Sequence, residues 1–362
     1  MAFFVMKIAQ IAPIIERVPP RKYGGTERVV YALTEELVKR GHDVTLFASG
    51  DSITSAKLVS VYPKALRQVK LKDLYGANAL SLLNIGLAYS HQKEFDIIHD
   101  HTGHIGLPTA NISKTPVAMT LHGVFTPDNR RIFETLNNVN FISISQAQVQ
   151  SISNLNHAGN VYNGLAMEHY PFSKDHDGYL LFVGRISMEK GVHQAIEVAQ
   201  YMDMPLIIAA KLDSVDMQYF NEYIGPHLSD QIKWIGEVDE EERNKLYSRA
   251  LCMLHPITWR EPFGLTLIEA MACGCPVIAF NLGSIPEIIV QGKTGFVADS
   301  IDDMIRAVTN IKDIDRAACR KHALNNFSAN KMADGYEAIY KQIITQSEAK
   351  KATAIADTPL AL

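Results

Sequence analysis

The sequence predicts an α/β protein built from two doubly wound domains, each a parallel sheet with helices on both faces. Three observations carry this. Short apolar runs alternate with amphipathic stretches along the chain, a β-α-β rhythm that places helices between parallel strands. The rhythm weakens between Val161 and Gly178 and restarts at Tyr179. The length, 362 residues, suits two or three domains. With 47% hydrophobic and 20% charged residues, the chain buries a large core, which excludes disorder.

In order, Met6 to Ala12 reads as the first strand; Met1 to Val5 before it is apolar, but Lys7 interrupts the run and no basic stretch precedes it, so no signal peptide is read. Glu27 to Arg40 reads as a helix with Val30, Leu33, Leu37 and Val38 on one face, closed by Gly41. Strands follow at Val44 to Ala48, from Asp96 to His99, at Val117 to Leu121 and at Phe141 to Ser145. Pro171, Ser173 and the stretch Asp175 to Gly178 form a polar connector, so the first domain is drawn as residues 1–172. The second, residues 173–330, has strands at Tyr179 to Val183, Leu206 to Ala210, Ile232 to Ile235, Ala250 to His255 and Pro276 to Ala279. The tail, residues 347–362, is polar and then small and apolar, and is expected to fray. Doubly wound sheets bind ligands beyond the carboxyl ends of their strands, and two such domains facing each other make a cleft. Polar residues just after strands are therefore the candidates.

Charge and cysteine usage narrow the class. The net charge of −4 is not that of a dedicated nucleic-acid binder. Cys252, Cys273, Cys275 and Cys319 all fall in the second half, and Cys273 and Cys275 are too close for an ordinary bridge, which fits a reducing, cytoplasmic setting. No run of about 18 apolar residues is present to span a membrane. Arg67, Lys70 and Lys72 read first as solvated surface and second as a weak peripheral contact to acidic lipid.

Four constellations carry chemistry. Tyr23-Gly24-Gly25-Thr26-Glu27 opens the first helix; paired glycines let backbone approach a ligand, and a helix N-terminus offers free N–H groups to an anion, or Thr26 simply caps it. His99-Asp100-His101 and His104 follow a strand, and His122-Gly123 follows another; an H-x-H pair suits a metal or a polar ligand. The stretch Gly184-Arg185 to Lys190-Gly191 sets two cations at a strand end, the arrangement a diphosphate needs. The fourth runs from His255-Pro256 through Glu261-Pro262-Phe263-Gly264-Leu265 to Glu269, with Gly274 closing the helix. A carboxylate there accepts two hydroxyl hydrogen bonds, as ribose diols require, and Glu269 among Ile268, Ala270 and Met271 has to be buried and paired. Gly283-Ser284-Ile285-Pro286-Glu287 adds a tight turn. Gly292-Lys293-Thr294 fails as a P-loop because Glu287 stands where the first glycine belongs, no G-x-G-x-x-G occurs, and Cys273-Gly274-Cys275 reads as core.

Taken together, EPFGLTLIEAMACGCPVIA with its E-x7-E (Glu261, Glu269), GRISMEKG, the paired glycines and the strand-end His101 and His122 resemble the retaining glycosyltransferases of family 4, of GT-B fold. The resemblance spans nearly the whole chain. It implies two Rossmann-like domains, the first on the acceptor side and the second on the nucleotide-sugar side, with a helix over residues 331–346 returning to the first. It implies Arg185 and Lys190 on the donor diphosphate, Glu269 on the ribose, and Glu261 near the sugar. Phe263, Gly264 and Leu265 would supply backbone contacts. Gly24 and Gly25 would approach the phosphates, Gly184 would sit in the donor motif, and Gly236, Glu237 and Val238 would border the base. His101 would contact the sugar near its reacting carbon, with His122 as a second sugar or acceptor contact.

The implied reaction moves a hexosyl group from a UDP- or GDP-sugar to a hydroxyl of a sugar, lipid or polysaccharide, retaining configuration, with no cofactor and no metal. No Asp-x-Asp pair is read as a metal site. His255-Pro256-Ile257 and Lys211-Leu212-Asp213 depart from the usual family residues beside the donor. Rival readings are a sugar-nucleotide epimerase or phosphorylase of the same fold, a metal-dependent hydrolase using His99, His101 and His104, and a sugar-binding protein without catalysis. Pro127 to Arg131 and Ser52 to Gly76 are candidate acceptor loops, and neither acceptor nor oligomeric state follows from sequence.

Overall fold

A computed structural model describes residues 5–22, 24–136, 138–150 and 154–356. Residues 1–4 of the apolar start, Tyr23 of the paired-glycine motif and residues 357–362 of the tail lie outside the described residues. The chain divides into two compact units, Met1–Leu165 with Ala329–Leu362, and Ala166–Ser328.

The first unit holds a seven-stranded parallel sheet: β1 (Lys7–Ile11), β2 (Asp43–Phe47), β3 (Lys57–Val59), β4 (Ile97–Asp100), β5 (Val117–Leu121), β6 (Asn140–Ser143) and β7 (His157–Asn160), in the order β3-β2-β1-β4-β5-β6-β7. The reversal of order at β1 and β4 is the switch point of a doubly wound sheet, where ligand-binding loops emerge. β4 and β5 are buried at every residue, as expected of strands covered on both faces. Ile11, Phe47, Ile98, Met119 and Phe141 form the core between the sheet and the helices.

The second unit holds a six-stranded sheet: β8 (Leu180–Ile186), β9 (Leu206–Leu212), β10 (Ile232–Gly236), β11 (Cys252–His255), β12 (Val277–Phe280) and β13 (Gly295–Ala298), in the order β10-β9-β8-β11-β12-β13. Every pair is parallel, from Leu180↔Leu206 to Phe280↔Ala298. All four cysteines are buried and free; Cys273 and Cys275 belong to the core beneath β12.

Two boundaries differ from expectation. The second unit begins at Ala166, ahead of the polar connector, because helix Arg316–Phe327 ties that connector down. Arg320 donates to the carbonyls of Glu168 and Tyr170, and Arg316 Nε donates to that of Ser173 at 2.9 Å. The final helix runs Ala329–Ala356, so the segment from Ser347, expected to fray, stays helical to Ala356. This helix belongs to the first unit; its Asp334 and Glu337 pair with Arg40 at 2.9 and 3.1 Å, and Tyr336 and Tyr340 are fully buried. Among the described residues no helix is long and apolar enough to cross a membrane.

Candidate functional site

In the second unit the cationic and acidic motifs meet. Gly184 and Arg185 lie near the end of β8, beside Ala210 and Lys211 of β9. The chain then makes a single 3-10 turn, Met188–Lys190, and enters helix Val192–Tyr201. Arg185 Nη2 donates to Glu189 Oε1 at 2.5 Å and leaves about one third of its side chain exposed (34%). Lys190 Nζ donates to Glu261 Oε2 at 2.6 Å. The same carboxylate oxygen accepts from Trp259 Nε1 at 3.0 Å, and the ammonium lies 4.9 Å from the centroid of the Trp259 ring. One lysine is thus held by a carboxylate and an aromatic face together.

The loop carrying Glu261 is pinned from two sides. Thr258 N donates to Glu189 O at 2.9 Å. Ser284 Oγ donates to the carbonyls of Phe263 at 2.8 Å and Glu261 at 3.1 Å, and Ser284 N donates to Glu261 O. Helix Leu265–Ala272 starts at Gly264 in the left-handed region (φ 88), one position that only glycine takes without strain; a Cβ there would also stand 2.9 Å from Leu267. The helix begins there, later than Pro262. The amides of Leu265 and Thr266 find no hydrogen-bond partner among the described residues, and the Gly264 cap has no side-chain acceptor. Such an N-terminus is built to receive an anion.

Glu269, on the following turns, is 1% exposed and pairs with Arg243 Nη2 at 3.3 Å. Arg243, itself buried, comes from helix Glu240–Arg249. Gly236 closes β10, and Glu237 and Val238 form the loop that follows, Val238 being buried. His255 ends β11; burial, then the charge of Lys190, pushes its imidazole down to about 4, so it is neutral.

In the first unit, Gly24 occupies the N-cap of helix Gly25–Lys39 with φ 149, and a Cβ would stand 2.8 Å from two Pro20 side-chain carbons. No side-chain cap is made, so Thr26 is not the capping residue. Glu27, in the first turn, is buried, and that burial raises its carboxyl to about 7.

The histidines do not converge on a metal site. His99 is fully buried, with Nε2 2.7 Å from Thr120 Oγ1 and Nδ1 2.5 Å from the Tyr340 hydroxyl. His101 lies behind His122: its Nδ1 is 2.9 Å from His122 Nε2, and its Nε2 is 2.7 Å from Gln10 Oε1. Both nitrogens of both rings are committed, His104 is exposed away from them, and no group of His, Cys, Asp or Glu able to hold a metal occurs among the described residues. Asp100 accepts from Thr102 and Tyr89 within the strand end. The metal-dependent hydrolase reading therefore loses its ligand set. His101 is 3% exposed, and His122, hydrogen-bonded to it, is half-buried.

Two Asp-x-Asp spacings are likewise structural. Asp177 of Asp175-His176-Asp177 pairs with Arg249, and Asp315 of Asp313-Ile314-Asp315 caps helix Arg316–Phe327.

Three functional candidates lie outside the sequence reading, and a fourth, Ser284, entered it only as part of a tight turn. Arg243 follows three glutamates and reads as surface charge, and Ser284 has only its tight turn as a signal. Gln10 and Tyr340 sit in an apolar strand and a long helix with no local signal at all.

Comparison with known proteins covers both units. The profile of the glycosyl transferases group 1 matches residues 170–325, and that of glycosyltransferase family 4 matches residues 23–156. An uncharacterized glycosyltransferase of Methanocaldococcus jannaschii is 24% identical over 334 residues, covering 79% of this chain and 84% of its own. Sucrose-phosphate synthase from Thermosynechococcus elongatus superposes with a TM-score of 0.78 at 18% identity, over 94% of this chain and 99% of that one. The Anabaena protein HepE, solved with UDP and glucose, superposes with a TM-score of 0.71 at 19% identity, over 93% of this chain and 100% of its own. With the two profiles matching in succession and the fold shared, the chain belongs to the glycosyltransferases of family 4, transferases of GT-B fold.

Proposed function

We propose that the protein is a retaining glycosyltransferase that moves a hexosyl group from a UDP- or GDP-sugar to a hydroxyl of a sugar, lipid or polysaccharide acceptor. The observation that carries this is the Lys190–Glu261 pair at 2.6 Å, flanked by Arg185 and by the uncapped N-terminus of helix Leu265–Ala272. As the glycosidic bond breaks, negative charge gathers on the departing diphosphate. Arg185, Lys190 and the amides of Leu265 and Thr266 offer that charge fixed donors, the kind of preorganised stabilisation that dominates such reactions. Glu269, held by Arg243, receives the ribose hydroxyls. Phe263 and Gly264 supply backbone to the sugar and phosphate, and Gly236, Glu237 and Val238 border the base. From the first unit, Gly24 and Gly25 serve the phosphates, and His101 and His122 serve the sugar.

No side chain is assigned as a covalent nucleophile. A donor phosphate oxygen takes the acceptor proton on the face the leaving group vacates, and the reaction proceeds without metal or cofactor. The UDP and glucose held by the Anabaena protein of the same fold support a nucleotide-sugar donor.

The test is thermal unfolding of the protein with UDP, GDP, ADP, NAD and a chelator in separate samples. At 100 times its dissociation constant a ligand adds about 2.7 kcal/mol to the folded state. A shift with one diphosphate names the base. No shift with any of them, together with a loss of stability in chelator, would sink the reading.

A further inference from the structure

A continuous chain of hydrogen bonds runs through the first unit from His122 to the last helix. It links His122, His101 and Gln10, then Tyr340, His99, Thr120 and Tyr336, across β1, β4, β5 and helix Ala329–Ala356. All but His122 are buried. An interior this polar is tolerated only when every link is made.

The chain has a direction, and Gln10 sets it. With its amide oxygen turned toward His101, Nε2 of that ring, 2.7 Å away, carries the proton; the reverse amide orientation would reverse every donor along the chain. A neutral imidazole protonated there is bare at Nδ1, which accepts from His122 Nε2 at 2.9 Å. On the other side the Gln10 amide nitrogen can only donate, to the Tyr340 hydroxyl at 3.3 Å. That hydroxyl donates in turn to His99 Nδ1 at 2.5 Å; His99 Nε2–H donates to Thr120 Oγ1, and Thr120 donates to Tyr336 at 3.0 Å. An added proton on His101 Nδ1 would face the His122 Nε2–H donor to donor. Burial pushes all three imidazoles down from their ordinary range, His122 to about 4, in keeping with neutral rings.

We infer that Gln10 and Tyr340 are positioning residues that hold His101 and His122 in their Nε2–H tautomers, so that His122 presents a bare Nδ1 as hydrogen-bond acceptor for a hydroxyl of the transferred sugar. His122 Nδ1 has no partner among the described residues. The opposite tautomer would offer a donor instead, and would reject a hydroxyl oriented to donate. This rests on His122 being the sugar-facing histidine.

The experiment is a long-range proton–nitrogen spectrum of the full chain with 15N-labelled histidine at neutral pH, with signals assigned by their loss in His101→Gln and His122→Gln. Nε2–H tautomers at His99, His101 and His122 are expected. An Nδ1–H tautomer at His122, or an even mixture there, would overturn the inference. Tyr340→Phe removes one hydroxyl from the middle of the chain. It is expected to mix the His101 and His122 tautomers and to lower turnover about tenfold, the worth of one hydrogen bond, with the donor KM unchanged. Unchanged tautomers in that variant would reduce Tyr340 to packing and end its positioning role. Gln10→Leu cuts the same link and is read the same way if Tyr340→Phe does not fold. The spectra need no ligand, so they judge the chain of bonds even if the nucleotide-sugar reading fails.

Discussion

Lys190 Nζ and Glu261 Oε2 lie 2.6 Å apart across 71 residues of sequence, and neither side chain is more than one fifth exposed. A pair this enclosed differs from a surface ion pair, because removing one partner leaves the other charge where water reaches it poorly. On the proposed function, a diphosphate at Lys190 would supply the negative charge that Glu261 supplies in the structure.

Lys190→Ala therefore has two separable effects. Turnover falls by about a hundredfold or more through loss of charge stabilisation on the leaving group. Stability falls by about 1–2 kcal/mol through the orphaned Glu261. Arg185→Ala, one third exposed and, among the described residues, paired with neighbouring Glu189, loses turnover with almost no stability loss. Steady-state kinetics beside thermal unfolding checks this: proportional losses of activity and stability in Arg185→Ala would remove Arg185 from the chemistry.

Glu27 gives the first unit a pH dependence of unusual sign. Burial, with a smaller push from the charge of Glu16, raises its carboxyl from 4.5 to about 7. The folded state thus holds a proton that the unfolded state releases above pH 4.5. Its contribution is fully present below pH 4.5 and is lost as pH rises through 7, for a total of about 3 kcal/mol. Glu27→Gln keeps the shape and removes the titration. Denaturant midpoints compared across pH 4.5 to 8 decide the matter: the variant gains on the wild type as pH rises, and parallel curves would show that Glu27 titrates normally.

Much of this was legible beforehand, and the rest failed for identifiable reasons. The interior strands announce themselves because a strand covered on both faces is mostly apolar, as Val117–Leu121 is apart from Thr120. The three strands not anticipated, β3, β7 and β13, are short sheet edges of three or four residues that include Lys57, His157 and Gly295. An edge strand needs one partner and no continuous apolar run. Of the site, residues bound to a motif were readable: Glu269 had to be buried and paired. Its partner was not, since Arg243 sits behind Glu240, Glu241 and Glu242, which reads as a solvated helix. The histidine cluster was legible as chemistry but not as geometry. Nothing local in the sequence says that Tyr340, 241 residues from His99, ends 2.5 Å from its ring.

Arg243 and Glu269 should behave as a unit. Arg243→Ala leaves a carboxylate with 1% exposure facing the space the guanidinium filled, and costs about 3 kcal/mol. Glu269→Gln costs less, because the amide is neutral and still accepts from Arg243. The double variant is predicted to be more stable than the sum of the single losses implies. A double-mutant cycle with no coupling between the two would show that the pair does not matter to the fold.

Buried neutral histidines, His99, His101, His122 and His255 among them, set the acid limit of the protein. Burial lowers His122 and His255 from 6.5 to about 4, with the Lys190 charge adding to the effect at His255. For a base whose folded value is depressed, the unfolded chain binds the extra proton first as pH falls. Each site therefore contributes stability in full above pH 6.5 and loses it as pH falls to 4, about 3 kcal/mol apiece. This runs against the Glu27 effect over much of the same range, so the wild-type curve alone shows only their difference. His122→Gln and Glu27→Gln separate them within the first unit, the former removing one histidine's share of the acid limb beside those of His99 and His101 and the latter flattening the neutral one, while His255→Asn reports on the second unit. Activity between pH 6 and 8 should meanwhile show no ionisation from His122 or His255. A kinetic pKa near 6.5 that vanishes in His122→Gln would mean the ring is hydrated and free to charge, and its place at the end of a neutral hydrogen-bonded chain would be untenable.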